Sequence, residues 1–298
     1  MDPRLAELLR LLELERLEIN LFRGESRDVG SAQVYGGQVL GQALRAAYAT
    51  VPEGRLAHSL HAYFLLRGDF NAPIVYFVDR SRDGHSFTSR RVTAIQHGEQ
   101  IFTLSASFQL PQSGIEHQLA MPSVPPPEAL ETMPLGAESA PKGEPLSERL
   151  QRYLRRERPF EFKPVPWADT AGASATDSAQ APAPQYVWVR AIDRLPEDDA
   201  LHRCLLAYAS DYHLLRTATI PHAALLAASQ CFLASIDHAM WFHWPMRVDE
   251  WFLYATDSPS ASGSRGFSRG SIFTREGRLV ASTAQEGVIR VRGPAVKP

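Results

Sequence analysis

FTSRRVTAIQHGEQIFTLSAS, residues 87–107, decides the fold because FSRGSIFTREGRLVASTAQ, residues 267–285, follows the same plan. Each begins with Phe, runs through a strand-like segment, turns at a Gly and returns through an apolar and Ser/Thr-rich strand. His97-Gly98 supplies the first turn and Gly277 the second, residues suited to tight hairpins. Two copies of one plan in a single chain indicate a divergent internal duplication, a pseudo-dimer rather than a solenoid.

Working outward, the segments before each hairpin also match. YGGQVLGQALRAAYATV (35–51) places Val39, Leu40, Ala43, Leu44 and Ala47 on one helical face. Gly36, Gly37 and Gly41 strip side chains from its start, so another backbone or a ligand approaches closely there. The nucleotide loops GxxxxGK[ST] and GxGxxG are both lacking. LHRCLLAYASDY (201–212) is the second copy's helix. Leu201, Cys204, Leu205 and Tyr208 recur at i, i+3, i+4 and i+7, and Asp211 falls on that same face. Pro196, Glu197, Asp198 and Asp199 suit its N-terminus. An inward carboxylate is costly unless hydrogen bonds satisfy it, and a local cap or buried acceptor is the plainer reading of helix geometry alone.

Strand candidates complete each unit. In the first they are ERLEINLFRGES (15–26), with Leu17, Ile19 and Leu21 on one side, then 58–68, 73–84, 87–96 and 100–110. In the second they are FEFKPVPW (160–167), YVWVRAI (186–192), 234–244, 250–259 and the hairpin at 265–291. Residues 3–15 carry leucines at helical spacing. The expected class is α+β: two tandem antiparallel sheets, each wrapped around a long helix. The boundaries are 1–112 for the first unit, 113–155 for a linker and 156–298 for the second unit. The linker is rich in Pro and poor in periodicity. SERLQRYLRRERP (147–159) reads as a short helix with Leu150, Tyr153 and Leu154 inward, and residues 168–185 as a polar loop.

Composition narrows the function. The 298 residues are 44% hydrophobic and 21% charged, with a net charge of -2, so nothing draws the chain to nucleic acid or an anionic membrane. No run is apolar enough to span a bilayer. Two cysteines without a CxxC fit buried thiols in a reducing, cytoplasmic setting. In a continuous strand at 234–244, Ser235, Asp237, Ala239, Trp241 and His243 share one face, and Ile236, His238, Met240 and Phe242 the other. His238 and His243 then point apart, against a zinc site. GHSF lacks the glycine frame of a nucleophile elbow. Ser235 and Gln285 would meet Asp211 if their strands flank its helix. Arg265 and Arg269, beside Gly263, Gly266 and Gly270, are candidates for holding phosphates, with a solvated hairpin edge as the alternative.

LFRGESRDVGSAQVYGGQVLGQAL (21–44), HSLHAYFLLRGD (58–69), residues 82–109, LLAYASDYHLL (205–215), ASIDHAMWFH (234–243), SRGFSRG (264–270) and LVASTAQEGVIR (279–290) together resemble the type II acyl-CoA thioesterases. The resemblance runs from about residue 15 to 291, apart from the linker and the 168–185 loop. It implies a double hotdog fold. It also implies a catalytic set of Asp211, Ser235 and Gln285 that holds and polarises a water for attack on an acyl-CoA thioester, without a cofactor, a metal or an acyl-enzyme. The family's FLRPGD segment here reads FLLRGD (64–69), a departure that touches loop or acyl-tunnel geometry and leaves the catalytic set intact. One site per chain is expected, since the first unit lacks the set. Sheet edges favour a homo-oligomer, a dimer or tetramer. The alternatives are a non-catalytic acyl-CoA-binding protein and a hotdog acyl-CoA hydratase, which would need an Asp–His pair.

Overall fold

The computed structural model describes residues 1–29, 33–133, 158–166, 184–222 and 230–292. The expected helix at 147–159 lies almost wholly outside them, as does nearly all of the 168–185 loop.

Helix α1 (Pro3–Leu12) starts where Asp2 accepts the Arg4 N–H and Pro3 fixes the first turn; Leu5, Leu8, Leu11 and Leu12 are buried. Residues 15–24 are not the single strand expected. They form two short strands, β1 (Glu15–Glu18) and β2 (Leu21–Gly24), folded back on each other. Leu17 and Ile19 are consequently exposed, because the chain reverses before their alternation reaches the core.

Helix α2 (Gly36–Tyr48) follows, buried on nearly every side. Strands β3 (Leu56–Phe64), β4 (Ile74–Asp83), β5 (Phe87–Gln96) and β6 (Glu99–Gln109) come next. His97 and Gly98 both take positive φ, 53° and 82°, as a two-residue hairpin turn demands. On β5, Thr88, Arg90, Val92, Ala94 and Gln96 are buried in strict alternation, one face to the core.

The second half repeats the order. Strands β7 (Phe160–Pro164) and β8 (Gln185–Ala191) precede helix α3 (Asp199–Ser210) and a single turn, α4 (Leu214–Thr217). Then come β9 (Gln230–Ser235), β10 (Asp237–Phe242), β11 (Phe252–Ser262), β12 (Arg265–Thr274) and β13 (Leu279–Arg292). All belong to one 13-stranded sheet in the order β1-β2-β4-β5-β6-β3-β10-β13-β12-β11-β8-β7, with β9 also on β13. Read outward from the central β3–β10 pair, the two halves have the same strand order. The helices α2 and α3 pack against each other: a methyl group at Gly41 would lie 3.2 Å from the Cys204 carbonyl oxygen. This is the double hotdog that the family resemblance implied, and it agrees with the duplication read from the paired hairpins.

The Pro-rich stretch after β6 is more than a spacer. Met121, Val124 and Leu130 pack on Trp188, Leu253 and Phe273, on the far side of the second half's sheet from α3. Trp188 Nε1 donates to the Pro125 carbonyl at 2.9 Å, and Gln118 Nε2 to the Gly277 carbonyl at 2.7 Å. Proline-rich chain has few N–H groups for a ladder, so side chains and carbonyls fix this strap instead.

Candidate active site

Asp198 caps the start of helix α3, its carboxylate accepting the Leu201 N–H at 3.0 Å. The helix ends at Ser210, so Asp211 is its C-cap rather than a residue inside it. The side chain still points inward and is only 8% exposed.

Two donors hold that carboxylate. Gln285 Nε2, on β13, donates to Oδ1 at 2.9 Å, and the Gly37 N–H, at the start of α2, donates to Oδ2 at 2.9 Å. The same Gln285 amide donates to Ser235 Oγ at 3.0 Å. The three residues expected from the sequence therefore meet at one point. Burial pushes the Asp211 carboxyl above the usual carboxylate range, and the hydrogen bonds from Gln285 and Gly37 oppose that only in part. A carboxylate with a raised pKa and fixed donors is a competent general base.

Ser235 reaches the site by a route that alternation alone does not show. The strand at 234–244 is interrupted at Ile236. Ser235 pairs with Gly287 and Ala239 with Ala284, so residues 236, 237 and 238 face only 285 and 286. This is a β-bulge, and it reverses which residues face inward. Ser235 joins His238, Met240 and Phe242 on the core side, not Asp237 and Trp241 on the outer side as an uninterrupted strand would require.

Three contributors went unassigned in the sequence. The first is the Gly37 amide; the glycines at 36 and 37 signalled a close approach, and the partner is α3. A Cβ on Gly36 would sit 2.8 Å from Asp211 Oδ2, and one on Gly37 would collide with the Tyr208 carbonyl oxygen. The second is His238, fully buried, with Nδ1 4.0 Å from Asp211 Oδ1 and Nε2 2.9 Å from Ser210 Oγ. Burial pushes its pKa down to about 3, so the ring is neutral and the 4.0 Å approach is no ion pair. The third is an aromatic wall. Tyr35 stacks on Tyr212 with centroids 5.0 Å apart, and its hydroxyl donates to the Tyr208 carbonyl at 3.0 Å. Beside it, a small apolar cavity between α3 and the sheet is walled by Phe162, Val187, Leu206, Phe252 and Ile272, with Ser210 and Tyr212 from either side of Asp211.

Arg265 and Arg269 are not brought to this point. They alternate with buried Ser268, which pairs with Gln285, and so project from the opposite face of β12. There Arg265 binds Glu286 at 2.8 Å and Arg269 binds Asp257 at 2.6 Å.

Two family models match the chain, one described as acyl-CoA thioesterase over residues 156–288 and one as acyl-CoA thioesterase N-terminal domain over residues 25–109. The chain is 42% identical over 292 residues to a Haemophilus influenzae protein named acyl-CoA thioesterase 2, covering 97% of this chain and 99% of that one. It is 43% identical to human acyl-coenzyme A thioesterase 8, covering 98% and 91%. Among solved structures, the acyl-CoA thioesterase II TesB2 from Mycobacterium marinum superposes with a TM-score of 0.78 at 41% identity, covering 96% of this chain and 99% of that one. With motifs, topology and whole-length similarity in agreement, this chain belongs to the acyl-CoA thioesterase family.

Proposed function

We propose that the protein hydrolyses acyl-CoA to free fatty acid and CoA, with Asp211 as general base and Ser235 and Gln285 holding the attacking water. The observation that carries this is the single Gln285 amide group donating to both Asp211 Oδ1 and Ser235 Oγ. A water beside Asp211 gives up a proton to the carboxylate as its oxygen attacks the thioester carbonyl. The tetrahedral intermediate collapses, the C–S bond breaks, and the CoA sulfur takes the proton from Asp211. Ser235 both donates and accepts, and Gln285 fixes it relative to the base, which supplies orientation. The N-terminus of α2 lies against Asp211, and its positive end favours negative charge developing there. The apolar cavity next to Ser210 and Tyr212 suits part of an acyl chain.

The test is steady-state thiol release from a chain-length series of acyl-CoAs. Wild type should turn over, and Asp211→Ala should not while remaining folded. Binding without turnover would instead support a non-catalytic acyl-CoA-binding protein. The hydratase alternative draws on the Asp211–His238 approach of 4.0 Å. It predicts loss of enoyl-CoA absorbance without thiol release.

The two units are assigned to 1–112 and 156–298, joined by 113–155, with one site per chain in the second. Tyr63 and Trp241, 53% and 37% exposed on the outer face of the paired strands β3 and β10, favour a homo-oligomer, dimer or tetramer. Cys204 is buried as expected but Cys231 is exposed, not buried; both thiols are free, which favours a reducing compartment such as the cytoplasm. Among the described residues, no helix is long and apolar enough to cross a membrane.

A further inference from the structure

We propose that Asp237 is a positioning residue: its carboxylate locks the bulge that turns Ser235 into the site. This rests on the catalytic role assigned to Ser235 above.

The inner face of β13 carries Thr283 and Gln285, both buried, and then Gly287. Opposite them on β10 the inward residues are the even-numbered His238, Met240 and Phe242. Ser235 is odd-numbered. In a continuous ladder it would lie outside with Ala239 and Trp241, and could not approach Gln285. One extra residue between Ser235 and Ala239 changes the parity and sets Ser235 opposite Gly287, 3.0 Å from Gln285 Nε2.

A bulge leaves part of the ladder unpaired. Here the Ile236 N–H still reaches the Glu286 carbonyl at 2.9 Å, and the Ile236 carbonyl accepts the Phe64 N–H from β3 at 2.9 Å. The Glu286 N–H, however, donates to a side chain. Asp237 Oδ1 accepts it at 2.6 Å, a short, charge-assisted bond. The carboxylate thus stands where a backbone carbonyl would stand in an unbroken strand. Charged neighbours do not replace it: the Glu286 side chain carries the same sign, and Arg265 is already held by Glu286 at 2.8 Å. Without an acceptor at 237, the Glu286 N–H regains a partner most simply if the strand slips by one residue. That slip would carry Ser235 to the outer face.

The experiment is a cycle of Ser235→Ala, Asp237→Leu and the double variant, with Asp237→Asn as the conservative control, using thiol release from decanoyl-CoA. Leucine keeps the volume and removes the acceptor; asparagine keeps an acceptor oxygen. Asp237→Leu should lower kcat by about the factor seen for Ser235→Ala, with KM changed by less than about threefold. The double variant should fall no more than about threefold below Ser235→Ala alone, because the second change removes an already lost arrangement. Asp237→Asn should recover kcat to within about threefold of wild type. Losses that multiply, or wild-type kcat in Asp237→Leu, would overturn the proposal. Hydrogen exchange of peptides spanning residue 286 provides a readout independent of turnover. Protection of the Glu286 amide should fall in Asp237→Leu and persist in Ser235→Ala. If Ser235→Ala is fully active, the catalytic reading of Ser235 fails, and the exchange result alone decides whether Asp237 holds the bulge. Unchanged protection in Asp237→Leu refutes it.

Discussion

Replacing Gly37 with alanine should damage catalysis more than folding. The added Cβ would collide with the Tyr208 carbonyl oxygen and come within 2.5 Å of Tyr35 Cε1. The carbonyl belongs to the backbone of α3 and cannot rotate away, so α2 must retreat by roughly an ångström to restore contact distances. Overpacking of this kind costs about 1–3 kcal/mol. Alanine returns up to about 1 kcal/mol as the better helix former. The net loss is then about 0–3 kcal/mol, a fall in Tm of at most roughly 12 °C for a chain of this size. The retreat also stretches the 2.9 Å bond from the Gly37 N–H to Asp211 Oδ2. A hydrogen bond to a charged group is worth about 1.5–3 kcal/mol, so kcat should fall between about 10- and 150-fold. Thiol release and thermal unfolding, measured on one preparation, check both numbers. Gly41→Ala is the control: its Cβ meets Leu12 and Cys204 at 3.1 and 3.2 Å, tight but remote from Asp211, and should cost stability alone. Wild-type kcat in Gly37→Ala, or an equal loss in Gly41→Ala, would refute the idea that this amide positions the base.

Asp211→Asn should abolish thiol release yet melt no lower than wild type at pH 7. Burial raises this carboxyl's pKa in the folded state, so its contribution to stability is present below the unfolded pKa and lost as pH rises through the folded one. A clearly lower melting temperature would contradict this. Gln285→Leu should lower the kcat plateau by about 10²–10³-fold. Because the Gln285 bond lowers the Asp211 pKa, its loss should also move the acid limb of kcat/KM to higher pH; an unmoved limb would show that Asp211 is not the base. His238→Gln should make the protein less acid-sensitive. The buried ring's pKa is depressed to about 3, so the unfolded chain alone takes up its proton between about 6.5 and 3. In that window the wild type should lose up to about 1.4 kcal/mol of stability per pH unit through this group, measured by denaturant melts against pH.

Much of this architecture was legible because its signals are local. The paired hairpins at 87–107 and 267–285 carry their own turn residues, and α2 and α3 carry clean helical faces. Asp211, Ser235 and Gln285 came together through motif resemblance, and their hydrogen bonds fit it. Other features were hidden for physical reasons. A period-two reading assumes an unbroken ladder, so the bulge at Ile236 put Ser235 on the wrong face. The Gly37 amide had no side-chain signature, since nearly every residue has an N–H; only the missing Cβ hinted at it. Arg265 and Arg269 carry a charge that suits phosphates, but charge does not report that Glu286 and Asp257 already bind them. The strap from Gln118 to Leu130 lacks periodicity because it docks through single anchors such as Trp188.

The bond from Gly37 to Asp211 joins residues 174 positions apart, one in each copy of the duplicated plan. The candidate site is therefore built by both copies together. If the ancestor was a single unit that paired with itself, each of its two equivalent centres would have borrowed an amide from the neighbouring subunit. On that history, fusion would have fixed the shared amide within one chain and left the second centre free to diverge. A substitution in α2 should therefore appear as a kinetic lesion in chemistry encoded far downstream. A co-expressed first copy should restore turnover to a second copy that is inert by itself.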